Sequence, residues 1–317
     1  MKLCGDIGGT KVLLALVDDA GKIVQQRRFA SAEFASFDDL LADYLRAPHK
    51  PIAGGCLAVA GPVSDDGRSA QLTNLPWTIE AAALETRFGL DRLMLVNDFV
   101  GVAMGIPALD AAQLVTLQPG EPLAAAPRLV VGAGTGLGMA VLLREGERWH
   151  VLPGEGGNAG FAPADSRQAE LWTWLHASKG RVIWEDVVSG PGLAHIHRFL
   201  GGRDALPETI AAAALAGGDP VAGAAVAIFL SAYGAFAGDM ALALLPRGGV
   251  YLAGGIAAKM LPLLRDGPFL QAFNAKGRHA AVVARMPVHV VGAAETGLAG
   301  AALLAQQAFS AGGGAPS

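Results

Sequence analysis

Cysteine is nearly absent from this chain of 317 residues: only Cys4 and Cys56 occur, far apart in sequence and in no C-x-x-C arrangement. That excludes a disulfide framework and a thiolate zinc centre, and it fits a reducing compartment. Charge is sparse too, at 16% of residues, with a formal net charge of −4 and no basic run. Nucleic acid and anionic membrane surfaces, which select basic stripes, are therefore not the expected partners. The only Gly-Lys pair, Gly21-Lys22, is followed by Ile23, so there is no G-x-x-x-x-G-K-[ST] phosphate loop. Nothing resembles HExxH, and His195 and His197 are spaced so that they fall on different faces of a helix. The first strand-like run starts at Lys2 with no charged leader and apolar stretch before it, so no export signal and a cytoplasmic location are expected. The apolar stretch Val221 to Leu245 is interrupted by Ser231, Tyr233 and Asp239 and reads as a buried helix rather than a membrane span.

What the chain does have is 52% hydrophobic residues and 43 glycines, enough for a compact core and a length of about two domains. Three short strands open it, Lys2 to Cys4, Lys11 to Asp18 and Ile23 to Phe29, with a glycine turn at Gly8-Gly9. The plan returns at Arg128 to Val131, Gly138 to Arg144 and Glu147 to Leu152, again with a glycine-rich first turn. Such a duplication predicts two lobes of similar plan. Between and after these meanders strands and helices alternate. Helix is expected at Phe37 to Leu45, Ile79 to Phe88, Ser166 to His176, Glu185 to Leu200 with a break near Gly190, and Glu208 to Ala216. Strands are expected at Gly54 to Val59, Leu93 to Val96 and Gly249 to Leu252, so the class is α/β. The tail from Gln306 to Ser317 is expected to fray.

Three glycine loops could hold phosphate or a nucleotide. In Gly5-Asp6-Ile7-Gly8-Gly9-Thr10, glycines let backbone N–H groups approach an anion, Thr10 adds a hydroxyl, and Asp6 suits Mg²⁺ or its waters; a plain hairpin turn is the alternative. The run Gly132 to Gly138 contains Gly134, Thr135 and Gly136. It breaks the G-x-G-x-x-G spacing at Leu137 and leads into a strand-like segment, which disfavours a dinucleotide enzyme. Gly254 and Gly255 follow the strand ending at Leu252 and could let adenine and ribose lie on the backbone, although tight strand–helix packing explains them equally well.

Asn97-Asp98 stands at the end of an apolar strand, where α/β sheets display catalytic groups. Asp98 could take a hydroxyl proton and Asn97 could hold a neighbouring hydroxyl, while a helix N-cap would also explain the pair. Glu155 lies in the polar loop Leu152 to Asn158 and Glu185 at a helix start; a carboxylate can accept two hydrogen bonds from a sugar diol. Loop solubility and helix-dipole pairing are the competing explanations.

In order along the chain, Gly5 to Thr10, Asn97-Asp98, Gly132 to Gly138, Leu152 to Gly157, Glu185 to Gly192 and Ala253 to Ile256 resemble the motif set of the bacterial glucokinase family. The resemblance extends to Thr73 to Trp77, to Phe273 to Arg278 and to Gly297 to Gly300 ahead of the last helix. It implies an actin-like, ribonuclease H-like ATPase fold of two α/β lobes. The small lobe would span 1–108 and be completed by a helix over 299–317, and the large lobe 109–298. It implies glucose and Mg-ATP as ligands, transfer of the γ-phosphoryl group to the sugar 6-hydroxyl, and a homodimer. By this resemblance Asp98 is the base, Asn97, Glu155 and Glu185 bind the sugar, and Gly5 to Thr10 and Gly134 to Gly136 contact phosphates. Asn158 stands where the family usually carries histidine; an amide still donates to a hydroxyl but takes no positive charge, which bears on hexose choice. A kinase for mannose or fructose and a non-catalytic sugar sensor are the alternatives, and the donor could be ATP, ADP or polyphosphate.

Overall fold

The structure, a computed structural model, describes residues 1–47, 49–265 and 267–309. The chain forms two compact units, Met1–Leu109 with Ala293 onward, and Asp110–Gly292.

In the first unit the strands β1 (Lys2–Ile7), β2 (Lys11–Val17) and β3 (Ile23–Ala30) form the expected meander. After α1 (Phe37–Tyr44) come β4 (Gly54–Val59), the short pair β5 (Ser69–Gln71) and β6 (Thr78–Glu80), then α2 (Ala81–Phe88), β7 (Leu93–Asn97) and α3 (Asp98–Gly105). The sheet runs β3-β2-β1-β4-β7, antiparallel through the meander and parallel from β1 onward. Strand alternation divides β1 between two cores. Leu3 and Ile7 pack with Phe37, Leu40 and Tyr44 of α1, whereas Cys4 joins Cys56 and Ala58 on the opposite face. The helix expected from Ile79 starts later, because Ile79 is a fully buried β6 residue paired with Ala70. Cys4 and Cys56, distant in sequence, are directly paired across β1 and β4 as buried free thiols. Burial pushes Cys4 up to about 12 and Cys56 well above the usual thiol value, so both are inert.

The second unit repeats the plan. It contains β8 (Leu114–Gln118), β9 (Arg128–Ala133), β10 (Leu137–Glu145) and β11 (Arg148–Gly154). Helices α4 (Ser166–Lys179), α5 (Gly190–Phe199), α6 (Pro207–Ala216) and α7 (Pro220–Leu244) follow. Then come β12 (Val250–Ala253), α8 (Gly255–Lys259), α9 (Leu261–Arg265), α10 (Pro268–Asn274), α11 (Ala280–Val283) and β13 (Val288–Val291). Its sheet, β11-β10-β9-β12-β13-β8, begins with an antiparallel meander and continues parallel through β12 and β13, as the first sheet does through β4 and β7. That is the duplication read from the two glycine-turned meanders. The apolar helix α7 is long enough to cross a membrane, but 67% of its most apolar window is buried, and it forms the core of this unit. Gly234 and Gly238 let α10 approach it closely: a Cβ at either position would collide with the carbonyl oxygen of Phe269 or Phe273.

The stretch Glu185 to Leu200, expected as helix broken near Gly190, is a single 3₁₀ turn at Trp184–Asp186 followed by α5, whose N-cap is Ser189. The chain ends, among the described residues, in α12 (Thr296–Phe309), which packs on the Cys4–Cys56 face of the first sheet through Leu298, Ala301 and Ala305. Gly297 and Gly300 thus lie inside this helix rather than before it, and the return to the first unit begins at Ala293, ahead of the expected 299. Gln306 to Phe309, expected to fray, belong to α12, while 310–317 fall outside the described residues.

Candidate active site

In the first unit, β1 puts Asp6 on the face covered by α12, and β7 delivers Asn97 and Asp98 to the start of α3. Asn97 caps the helix: its Oδ1 accepts from the Phe99 N–H at 2.9 Å and its amide donates to the Gly61 carbonyl at 3.3 Å. Asp98 Oδ1 accepts from the same N–H at 2.9 Å, and the Asn97 side chain also lends a hydrogen bond to the carboxylate. The capping explanation of this pair thus holds for Asn97. Burial pushes the Asp98 carboxyl up to about 6; the Phe99 N–H opposes this, and the nearby Asp6 charge adds to it. Burial raises Asp6 as well, with Lys11 pulling the other way.

Asp6 accepts no hydrogen bond from the described residues, and a Cβ on Gly297 would lie 2.8 Å from its Oδ2. Two half-buried carboxylates that repel one another, one of them without a donor, fit a cation held through oxygen and water. Among the described residues there is no cluster of three or more metal-ligating side chains, so Mg²⁺ beside Asp6 would have few protein ligands and keep several waters. The turn Gly8-Gly9-Thr10 is held by Ser31, whose hydroxyl donates to the Gly8 carbonyl at 2.9 Å and whose N–H donates to Thr10 O at 3.1 Å. Asn74 crowds the place a Gly9 side chain would take, at 3.0 Å. Gly5 and Ile7 have packing explanations: a Gly5 Cβ would meet Leu57 and Leu14 at 2.8 and 2.9 Å, and Ile7 is fully buried, so only backbone groups there could reach a ligand.

In the second unit the structure brings two of the glycine loops to one cavity of about 260 Å³. Gly134 and Thr135 of the β9–β10 turn line it together with Gly255 of α8, and Pro191, Ile256 and Met260 give it apolar walls. Neither Gly134 nor Gly255 has any atom within 4 Å of where its Cβ would stand, so a side chain at either would project into open space. Gly254 needs glycine for its φ of 88° and for its closeness to the Ala133 carbonyl. After Gly136 the chain enters β10, a strand, where a dinucleotide loop requires a helix.

The carboxylates cluster near the same turn. Asn158 donates to Glu155 Oε2 at 3.4 Å within the exposed loop after β11. Glu185 Oε2 accepts from the Leu137 N–H at 2.8 Å, at the end of the glycine turn. Arg181 holds the Asn158 carbonyl at 2.8 Å, and the Trp184 N–H donates to Ala159 O at 3.0 Å, joining the Glu155 loop to the Glu185 turn. Sequence reasoning missed Lys11, whose charge reaches Asp6, and missed Glu208 and Lys259, which also line the cavity. Lys11 follows the glycine turn directly and was visible; the other two carry no motif. Lys276, within a stretch resembling the family, is half-buried and ion-paired to Asp239 at 2.6 Å, a structural role.

The family model described as Glucokinase matches residues 3–308. A glucokinase from a Nostoc species is 37% identical over 96% of this chain and 98% of its own length. That from Cronobacter sakazakii is 36% identical over 94% and 95%. Among solved structures, a glucokinase from an Antarctic psychrotroph superposes with a TM-score of 0.84 at 32% identity, covering 95% of this chain and 97% of that one. With motifs, duplicated sheets and these relatives in agreement, the chain belongs to the glucokinase family.

Proposed function

We propose that this protein transfers the γ-phosphoryl group of ATP to the 6-hydroxyl of glucose, with Asp98 as the base. The observation that carries the reading is the Asp98 carboxylate: half-buried at a strand end beside the Asp6 charge and pushed up to about 6. A carboxylate near that value is ionised at neutral pH yet basic enough to take a hydroxyl proton as the oxygen attacks phosphorus, a contribution of roughly 10²- to 10⁴-fold. Asn97, Glu155, Asn158 and Glu185 would hold the other sugar hydroxyls, since amides and carboxylates together match a polyol's donors and acceptors.

Backbone N–H groups of Gly8 to Thr10 and Gly134 to Gly136 would receive the phosphates, and the cavity floored by Gly255 would take the base. Mg²⁺ beside Asp6, when bound, would neutralise charge on the phosphates. Family membership also supports a cytoplasmic homodimer. Asn158, in place of the family's usual histidine, makes hexose breadth the open variable. A coupled assay crossing glucose, mannose and fructose with ATP, ADP and polyphosphate tests the proposal. Glucose-dependent ADP formation from ATP is expected to dominate. Greater turnover on another hexose would reassign the acceptor, and sugar binding without any ADP release would make the protein a sensor.

A further inference from the structure

The β9–β10 turn is fastened at both ends to the segment carrying Glu185. The Gly190 N–H donates to the Gly134 carbonyl at 2.7 Å, and the Leu137 N–H donates to Glu185 Oε2 at 2.8 Å. Inside the turn the Gly134 N–H reaches Gly136 O at 2.8 Å. The Ser189 hydroxyl donates to the Glu185 carbonyl at 2.7 Å while capping α5, so the strap is itself rigid. Gly136 is glycine for a reason local to this contact: its Cβ would stand 2.6 Å from Glu185 Oε2. Glu185 Oε1 has no protein hydrogen-bond partner among the described residues.

We propose that Glu185 is a positioning residue that couples the two substrates, its Oε2 fixing the phosphate-binding turn through Leu137 while Oε1 receives a sugar hydroxyl. The inference rests on the reading that sugar binds by Glu155, Asn158 and Glu185 and phosphates by Gly134 to Gly136. A turn rich in glycine is loose unless held. A sugar hydroxyl on Oε1 immobilises the carboxylate, and with it the charge-assisted bond that sets the direction of the Leu137 N–H and the shape of the turn. Coupling of this kind is reciprocal: sugar tightens nucleotide by the same factor that nucleotide tightens sugar. Glu185 would then serve both ligands while belonging to the sugar site.

The test is to titrate the Mg complex of a non-hydrolysable ATP analogue, AMPPNP, into the full-length protein with and without saturating glucose. Calorimetry or tryptophan fluorescence can follow it; buried Trp184, beside Glu185, stacks edge-on to Phe161 at 5.0 Å. In the unaltered protein glucose should tighten AMPPNP binding roughly 5-fold or more. Glu185→Ala and Gly136→Ala should each bring that ratio close to one, and Gly136→Ala, in the phosphate turn, should also weaken glucose binding measured without nucleotide. A merely structural role would lower stability and both affinities while leaving the ratio intact, which would overturn the inference. Glu185→Gln, which keeps an acceptor for Leu137, should retain part of the ratio and keeps the test open if an alanine variant fails to fold. Binding of neither ligand by the unaltered protein would refute the functional reading; binding of both with a ratio of one would refute the coupling alone.

Discussion

Asp98 occupies a position that the fold makes expensive. Its carboxyl is held at about 6 against an ordinary 3.8, because burial and the Asp6 charge both disfavour ionisation. The native state therefore binds its proton more tightly than the unfolded chain, and the stability this group confers falls as pH rises through the window between those values. By about pH 7 the cost approaches about 3 kcal/mol as an upper bound. Asp98→Asn keeps the acceptor for the Phe99 N–H and removes the ionisation. Thermal denaturation without Mg²⁺ should show this variant more stable than the parent at pH 7.5 and lose most of that advantage at pH 4. An equal difference at both pH values would show that Asp98 is not perturbed. The Asn97-Asp98 pair was legible in the sequence because a polar pair ending an apolar strand has few explanations. The Asp6–Asp98 repulsion was not, since it depends on β1 and the start of α3 meeting in space. Nor was the bond from Leu137 to Glu185, between residues on separate elements with no shared motif.

Helix α3 is placed by its partner. A Cβ on Gly300 would collide with the Gly101 carbonyl, and one on Gly105 with the Thr296 carbonyl, so α3 and α12 approach at backbone contact. This contact sets where Asp98 begins and where Gly297 meets Asp6. Gly300→Ala forces the helices apart, at a cost of roughly 1–3 kcal/mol. Differential scanning calorimetry should record a fall in Tm of roughly 3–8 °C, and turnover should fall with it; an unchanged Tm would remove this contact from the account. The strands of both meanders were readable from alternation and glycine turns. The start of α12 was not, because Gly297 and Gly300 look like helix breakers in sequence and become helix residues only through the close packing they permit. Ile79 was misassigned to a helix for the converse reason: its burial in a two-strand pair overrides the helical pattern beyond it.

Across the whole molecule, two units with matching strand orders each bring a glycine turn between the first two strands of a meander. One carries Asp6 and Asp98, the other the open cavity and the strapped turn. Phosphoryl transfer needs positioning and charge stabilisation more than reactive side chains, which is why loops of backbone and a few carboxylates can suffice. The central claim is that Asp98 takes the proton of the attacking hydroxyl. Its most direct test is the steady-state turnover of Asp98→Asn with glucose and Mg-ATP, alongside glucose binding to the same variant. We expect kcat to fall by roughly 10²- to 10⁴-fold with glucose binding retained; near-normal turnover would contradict the account.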